Sequence, residues 1–160
     1  MKFSIDVSGE RELIASFDKI EKGITDFRKD AVWVRVRQEF NRIEKEHFGA
    51  EGNGKSGKWA SLSSPYREIK AKKWGTPILQ RTKRLYKSLT QKTGDSVVEE
   101  KDLELTLGTS VPYGGYHQKG TKKMPARPPI DMTEEQAKRL VEPIKKHLRQ
   151  LAQNARLAGR

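Results

Sequence analysis

Residues 49–56 match a phosphate-binding pattern. They read Gly-Ala-Glu-Gly-Asn-Gly-Lys-Ser, which fits G-x-x-x-x-G-K-S. In that motif backbone N–H groups and a lysine hold phosphates, but only where a strand enters the loop and a helix follows it. Here a long amphipathic pattern precedes the loop, and the next residues, Gly57-Lys58-Trp59, do not start a helix. We therefore interpret residues 49–64 as a flexible polar loop and expect no bound nucleotide.

Histidine is the other candidate for chemistry, as an acid, a base or a metal ligand. The chain has three, His47, His117 and His147, which lie far apart in sequence without nearby ligand partners. His117 is the one acid–base candidate, but beside Tyr113 and Gln118 it is better interpreted as a packed structural residue. We expect no catalytic, cofactor or metal site, and therefore no enzyme.

The segment from Tyr113 to Pro129 combines aromatic residues, glycines and prolines. It reads Tyr-Gly-Gly-Tyr-His-Gln-Lys-Gly, and after three further residues Met-Pro-Ala-Arg-Pro-Pro. Glycine lets the backbone take positive φ or approach another chain, whereas proline fixes φ and removes a donor. Such a segment is typical of a shaped contact surface in a surface loop. Trp59, in the loop before it, is interpreted as a core anchor.

The elements that must position these residues begin with a predicted strand at Phe3–Val7. An amphipathic helix follows, with apolar residues from Leu13 to Ile24 at helical spacing. A long second helix is predicted from a cap at Thr25 to about Phe48, ended by Gly49. The sequence leaves open whether Trp33 on this helix and the later Trp74 pack in the core or lie at an interface.

The middle of the chain predicts short elements. Pro65–Lys70 indicates a short helix with proline in its first turn, and Arg81–Thr90 is compatible with another. Ser96–Glu99 and Leu103–Leu107 indicate an antiparallel hairpin with its turn at Lys101-Asp102. That turn lacks the glycine of a strong hairpin signal.

A capping box, Thr133-Glu134-Glu135-Gln136, predicts the start of a C-terminal helix. Pro143 lies inside the pattern and should kink the helix. We expect residues 156–160 to fray. The predicted fold is α+β, a single domain over residues 1–160 in which a small antiparallel sheet packs against the long helix and the C-terminal helix, joined by long loops.

Composition narrows the class of protein. Hydrophobic and charged residues each make up 34% of the 160 residues, which predicts a modest core and a large surface or interface. Cysteine is absent, which excludes disulfides and fits a reducing compartment. Without a signal-peptide core or an apolar run of roughly 18 residues, we expect a soluble intracellular product with no membrane partner.

The formal net charge of +12 indicates an acidic partner, nucleic acid or a solvated basic face. Between Tyr66 and Lys92 the only acid is Glu68. The cations of this stretch that are candidates for a channel-lining or DNA-facing surface are Arg67, Lys70, Lys72, Lys73, Arg81, Lys83, Arg84 and Lys87. No recognition motif indicates base-specific binding.

The order of several short motifs resembles the virion morphogenesis (tail completion) family of tailed bacteriophages. Gly57-Lys58-Trp59-Ala60-Ser61-Leu62 is similar to its Gly-x-Trp-x-x-Leu loop, and Ile78–Leu89 to its Ile-Leu-x-x-Thr-Gly-x-Leu-x-x-Ser segment. The family's Tyr-x-x-x-His-Gln-x-Gly turn and Pro-Ala-Arg-Pro follow at Tyr113–Gly120 and Pro125–Pro128. The resemblance runs from about Ala31 to Leu148.

The resemblance implies a structural protein without catalysis that completes the tail and stabilises its junction with the head. It implies a homo-oligomeric ring at the neck, expected to be a hexamer, contacting the head–tail connector and the tail tube or terminator, with phage DNA bound non-specifically in the channel. We expect assembly in the host cytoplasm and a final place in the virion. The residues expected to shape the subunit or partner contact are Tyr113, Tyr116, His117, Gln118, Arg127 and Trp59.

The chain departs from the family pattern at two positions. Lys83 replaces the usual glycine, which suggests regular helix before Leu85, and Pro129 replaces an aromatic residue after Pro128. A small basic protein that binds nucleic acid non-specifically remains the alternative. It predicts tight duplex binding with a steep dependence on salt.

Overall fold

The computed structural model of the chain describes Asp18, Glu21, Phe27 and residues 31–157. Its elements are α1 (Val32–Gly49), α2 (Ser64–Trp74), α3 (Arg84–Thr90), β1 (Ser96–Glu100), β2 (Leu105–Thr109), α4 (Gly114–Lys119) and α5 (Glu134–Leu157). The predicted strand Phe3–Val7 lies outside the described residues. Of the first predicted helix, Asp18 and Glu21 are described, and both are helical.

The helices and one small sheet confirm the predicted α+β class. β1 and β2 form an antiparallel hairpin in which Ser96 is opposite Thr109 and Glu100 is opposite Leu105. α1 packs against α5 and α3, and α3 packs against both strands. Trp33 Nε1 donates to the carbonyl oxygen of Lys101 at 2.7 Å, which fixes the hairpin to α1.

The core has two parts along α1. Near its N-terminal end, Phe27, Val32, Trp33 and Val36 cluster with apolar residues of α5. Near its C-terminal end, a second cluster contains Phe40, Phe48, Trp59, Ile78, Leu85, Leu89 and Val111. Trp33 and Trp59 are therefore core residues, whereas Trp74 is exposed.

The predicted start of the long helix near Thr25 is wrong. Ala31 has a left-handed φ of 54°, and the first residue of α1 is Val32. Phe27 lies in a turn whose carbonyl oxygen accepts from Val32 N at 3.0 Å. Its ring packs edge-on against Trp33 at 5.1 Å. In the sequence pattern, a buried aromatic residue in a turn cannot be told apart from one on the apolar face of a helix. Phe27 was therefore wrongly counted as part of the helix.

The hairpin turn is longer than predicted, which shifts β2 by two residues. Lys101 N donates to Glu104 O at 2.8 Å and closes a four-residue turn. Two-residue hairpin turns favour positive φ at the central residues, and Lys101-Asp102 lacks the glycine that takes it easily. Leu103, assigned to the strand from sequence, is exposed in this turn.

The capping box at the start of α5 is confirmed. Thr133 N donates to Gln136 Oε1 at 2.8 Å, and Gln136 N donates to Thr133 Oγ1 at 3.2 Å. α5 continues past Pro143 to Leu157. The kink at Pro143 and the frayed tail stay predictions.

Candidate partner-binding cleft

The segment predicted as a surface loop begins with a short helix. α4 spans Gly114–Lys119 and ends at Gly120, whose φ is 74°. A Cβ on Gly120 would lie 2.8 Å from Ala126 N, so glycine is required both by the conformation and by the space. The chain then turns back, and Arg127 N donates to His117 O at 2.8 Å. We call residues 120–127 the return loop.

Arg127 holds the return loop against the loop that precedes α2. It is 5% exposed, and it donates from Nε to Ala60 O at 2.6 Å and from Nη2 to Ser61 O at 2.9 Å. Burial lowers the pKa of Arg127. Its predicted part in a partner contact stays a prediction, and its guanidinium can take part only by holding the backbone around it.

Trp59 and Gln118 also act inside the chain. Trp59 is buried and packs edge-on against Phe48, with ring centroids 5.3 Å apart. Gln118 Nε2 donates to Ile130 O at 2.8 Å, and Gln118 Oε1 accepts from Ile130 N at 3.2 Å. Both residues fix the segments around the return loop, and their contact role stays a prediction.

His117 and Tyr113 lie side by side with their rings edge to face, 5.9 Å apart. Burial, and then the positive charge of Arg127, lower the pKa of His117, so its imidazole is neutral near pH 7. Its Nδ1 is buried and has no hydrogen-bond partner among the described residues. Tyr116, on the same helix, is 62% exposed.

Tyr113 and His117 border a cleft of about 730 Å³ between α2 and the return loop. Its walls combine apolar residues (Leu62, Tyr66, Leu79, Tyr113, Met124 and Pro125) with basic ones (Lys70, Arg81, His117, Lys123 and Arg127). The structure therefore brings Tyr113, His117 and Arg127 together with two members of the basic stretch. Trp59, Tyr116 and Gln118 lie outside this lining.

Helix α2 forms one wall of the cleft and is poorly covered by the described part of the chain. Its single buried residue is Lys70, 2% exposed, whose Nζ donates to Gly75 O and Pro77 O at 2.7 Å each. Tyr66, Ile69 and Trp74 are exposed, and the Arg81 guanidinium stacks over the Trp74 ring at 4.3 Å. A helix with three exposed large apolar residues is typical of an interaction surface.

Two members of the predicted basic surface are occupied internally. Lys70 is buried and caps the end of α2, and burial lowers its pKa, so its ammonium serves the fold; its channel-facing role stays a prediction. Arg84 forms a two-bond ion pair with Asp95, at 2.7 and 2.6 Å. The other six, Arg67, Lys72, Lys73, Arg81, Lys83 and Lys87, are exposed to solvent, and their role stays a prediction.

The expectation of regular helix before Leu85 is wrong, as the backbone conformation of Lys83 shows. Lys83 has a φ of 57°, in the left-handed region, and α3 begins only at Arg84, three residues later than predicted. The turn therefore keeps the conformation that glycine would favour, even though lysine occupies the position.

The nucleotide and metal alternatives gain no support within residues 31–157. α1 leads into the loop at residues 49–56, and no helix follows it directly. The next helix starts at Ser64, one residue before the predicted Pro65, and runs to Trp74, four residues beyond the predicted Lys70. The described residues contain no group of three or more potential metal ligands. In the same part of the chain, no helix has the length and apolar character that crossing a membrane requires.

Sequence reasoning missed Glu44, which is 1% exposed inside α1. Desolvation raises the pKa of Glu44 to about 8, and its Oε2 has no partner among the described residues. The available signal was its position four residues after Phe40 and four before Phe48, on the buried stripe of the helix. The cleft residues Lys123 and Met124 lie inside the segment Tyr113–Pro129 that the sequence indicated as a contact surface, although neither was named as a site residue.

A small α+β chain with an apolar, basic cleft and an uncovered helix has the character of an interaction or assembly protein. The model of the phage virion morphogenesis family matches residues 16–149. The chain belongs to this family, and its role is therefore in the assembly of a bacteriophage virion. Searches of curated proteins and of solved structures gave no significant match.

Proposed function

We propose that this protein completes the tail and stabilises the head–tail junction as a ring at the neck of the virion. The observation that carries the proposal is the set of large apolar side chains left exposed on separate elements. They are Tyr66, Ile69 and Trp74 on α2, Tyr116 on α4, Leu103 in the hairpin turn and Val141 on α5. Three of them lie together on α2, and a group of exposed apolar residues on one helix is typical of an interaction surface.

A ring of identical subunits requires two different patches that meet head to tail. The exposed residues of α2 and α4 form one set, and those of the hairpin turn and α5 form a second set of different composition; in this proposal the two sets supply the unlike patches. We expect a hexamer. A further patch remains for the connector on the head side or for the tail tube or terminator.

The protein acts by contact and not by catalysis in this proposal. The residues that sequence reasoning could have assigned to chemistry are used for packing: His117 lies against Tyr113, and Arg127 holds two backbone carbonyls. Assembly would take place in the host cytoplasm, and the finished ring would stay in the virion.

Non-specific binding of nucleic acid is the second candidate, favoured by the seven exposed cations between Arg67 and Lys87, of which Arg84 is paired with Asp95. In a ring they would attract the phosphates of DNA in the channel without reading its sequence. In the alternative function the isolated subunit would itself bind duplex DNA.

The mass of the purified protein in solution distinguishes the two candidate functions. It is measured by light scattering at low and moderate salt, with and without duplex DNA. A discrete ring, or a subunit that does not bind DNA, supports the assembly role. A subunit that binds duplex tightly and releases it as salt rises supports the alternative. Deletion of the gene from the phage should leave filled heads and unjoined tails in electron micrographs, and joined particles would contradict the proposal.

A further inference from the structure

We propose that the cleft between α2 and the return loop binds an extended segment of a partner protein that carries carboxylates beside large apolar side chains. The inference deepens the proposed function, because it assigns one of the contacts of the assembled virion to a defined site. It rests on that function only for the statement that the partner is a virion protein.

Charge is the first argument. The described residues that line the cleft include no carboxylate, and their lysine and arginine side chains are Lys70, Arg81, Lys123 and Arg127. Lys70 and Arg127 hold their charges beneath the surface, while Arg81 and Lys123 are exposed at the edge and available to a ligand. A cleft lined by one sign of charge between apolar walls concentrates the field and attracts the opposite sign.

The apolar walls indicate that the ligand is more than a simple anion. Tyr66, Leu79 and Tyr113 face the same space as Met124 and Pro125. Methionine adapts to the shape of bound apolar groups, and a volume of about 730 Å³ accommodates several side chains. A DNA backbone would bring the negative charge but no apolar groups to bury against these walls.

The small buried area of helix α2 gives an independent argument for a bound segment. The helix has eleven residues, and within the described chain it buries only Lys70. Helices shorter than roughly 12–15 residues are marginal in water unless a face is packed against a neighbour. A segment lying in the cleft against Tyr66 would supply that packing, so binding and the ordering of α2 would stabilise each other.

We assign the segment to a different virion protein, because a partner with an acidic segment complements the basic cleft better than a chain of net charge +12 does.

The experiment is a selection of peptides from a random display library on the immobilised full-length protein. The selected peptides should be enriched in aspartate or glutamate next to aromatic or aliphatic residues. Their affinity, measured by fluorescence anisotropy, should fall at least tenfold in an Arg81→Glu, Lys123→Glu double variant. Replacing the peptide carboxylates with amides should have a similar effect. The Lys145→Glu, Lys146→Glu variant changes the same charge on exposed α5 positions and should bind like the wild type.

Four outcomes would overturn the inference: no selected peptides, peptides without acidic enrichment, equal loss of affinity in the two double variants, or displacement of the peptides by duplex DNA from the cleft. Circular dichroism melting of both variants checks that they fold. Joined particles from a phage that lacks the gene would remove the proposed function and leave the peptide result standing, so the two failures are distinguishable.

Discussion

Trp59 Nε1 donates to the carbonyl oxygen of Pro128 at 2.9 Å, joining two segments that are 69 residues apart in sequence. His47 Nε2 donates to the same oxygen at 3.0 Å from the last turns of α1. One acceptor therefore links α1, the loop before α2 and the segment after the return loop. The cleft depends on this link. The loop that holds Trp59 continues into α2, and Pro128 directly follows the return loop, and these two segments form the walls of the cleft.

Removing the Trp59 donor should lower stability. Trp59→Phe deletes the bond to Pro128 and some core volume, so we expect the free energy of unfolding to fall by about 1–2 kcal/mol. Urea denaturation followed by far-ultraviolet circular dichroism measures it. Trp74→Phe is the matched control, since Trp74 is exposed, and should stay close to the wild type. Equal losses in the two variants would contradict the assignment of Trp59 as an anchor.

Glycine at position 83 should stabilise the protein. Lys83 is exposed and pays the cost of a left-handed backbone, which Lys83→Gly would relieve. Greater freedom of the unfolded chain offsets part of the gain, so we expect a net increase of about 0.5–1 kcal/mol in the free energy of unfolding. Lys87→Gly, at an exposed position inside α3, should instead cost about 0.5–1 kcal/mol. A loss of stability in Lys83→Gly would refute the strain argument.

Lys70 should prove structural. Lys70→Met keeps an unbranched side chain that reaches as far as Cε but removes the donor to the carbonyls of Gly75 and Pro77, and so loosens the end of α2. We expect faster amide hydrogen exchange over α2 and a loss of about 1–3 kcal/mol in local stability. Lys72→Met, on the exposed face of the same helix, is the control and should leave exchange unchanged. Unchanged exchange in both variants would argue against the capping role.

Glu44 should make stability fall with rising pH. Its pKa is about 8 in the folded chain, against an ordinary value of 4.5. The folded state therefore keeps a proton that the unfolded state has lost, and stability is complete below pH 4.5 and declines up to about pH 8. In Glu44→Gln this decline should disappear, because glutamine does not titrate.

The free energy of unfolding of wild type and Glu44→Gln, measured by urea denaturation from pH 4.5 to 8.5, tests this. The difference between them should grow in favour of the variant by ~1.4 kcal/mol for each unit of pH in that window. Glu135→Gln, at an exposed position in α5, is the control and should show no such trend. Parallel curves for wild type and Glu44→Gln would show that Glu44 is not held protonated.

The sequence by itself determined the elements whose signals are local. The apolar stripe of α1 and the reciprocal capping bonds of Thr133 and Gln136 follow from residue types at fixed spacing, and the order of motifs led to the phage virion morphogenesis family. Helical periodicity and capping depend on residues only a few positions apart, so one sequence suffices to read them.

Only the tertiary structure decided which candidate residues serve the fold and which remain free for a partner. Arg127 and Lys70 are residue types that are common in binding sites, yet each donates to backbone carbonyls. Lys70 binds the turn that follows its own helix, whereas Arg127 binds Ala60 and Ser61, which only folding brings close to it. The cleft has the same origin, because Tyr66 and Met124 meet across it from distant parts of the chain. Burial and long-range packing depend on all the elements at once, and no local pattern encodes them.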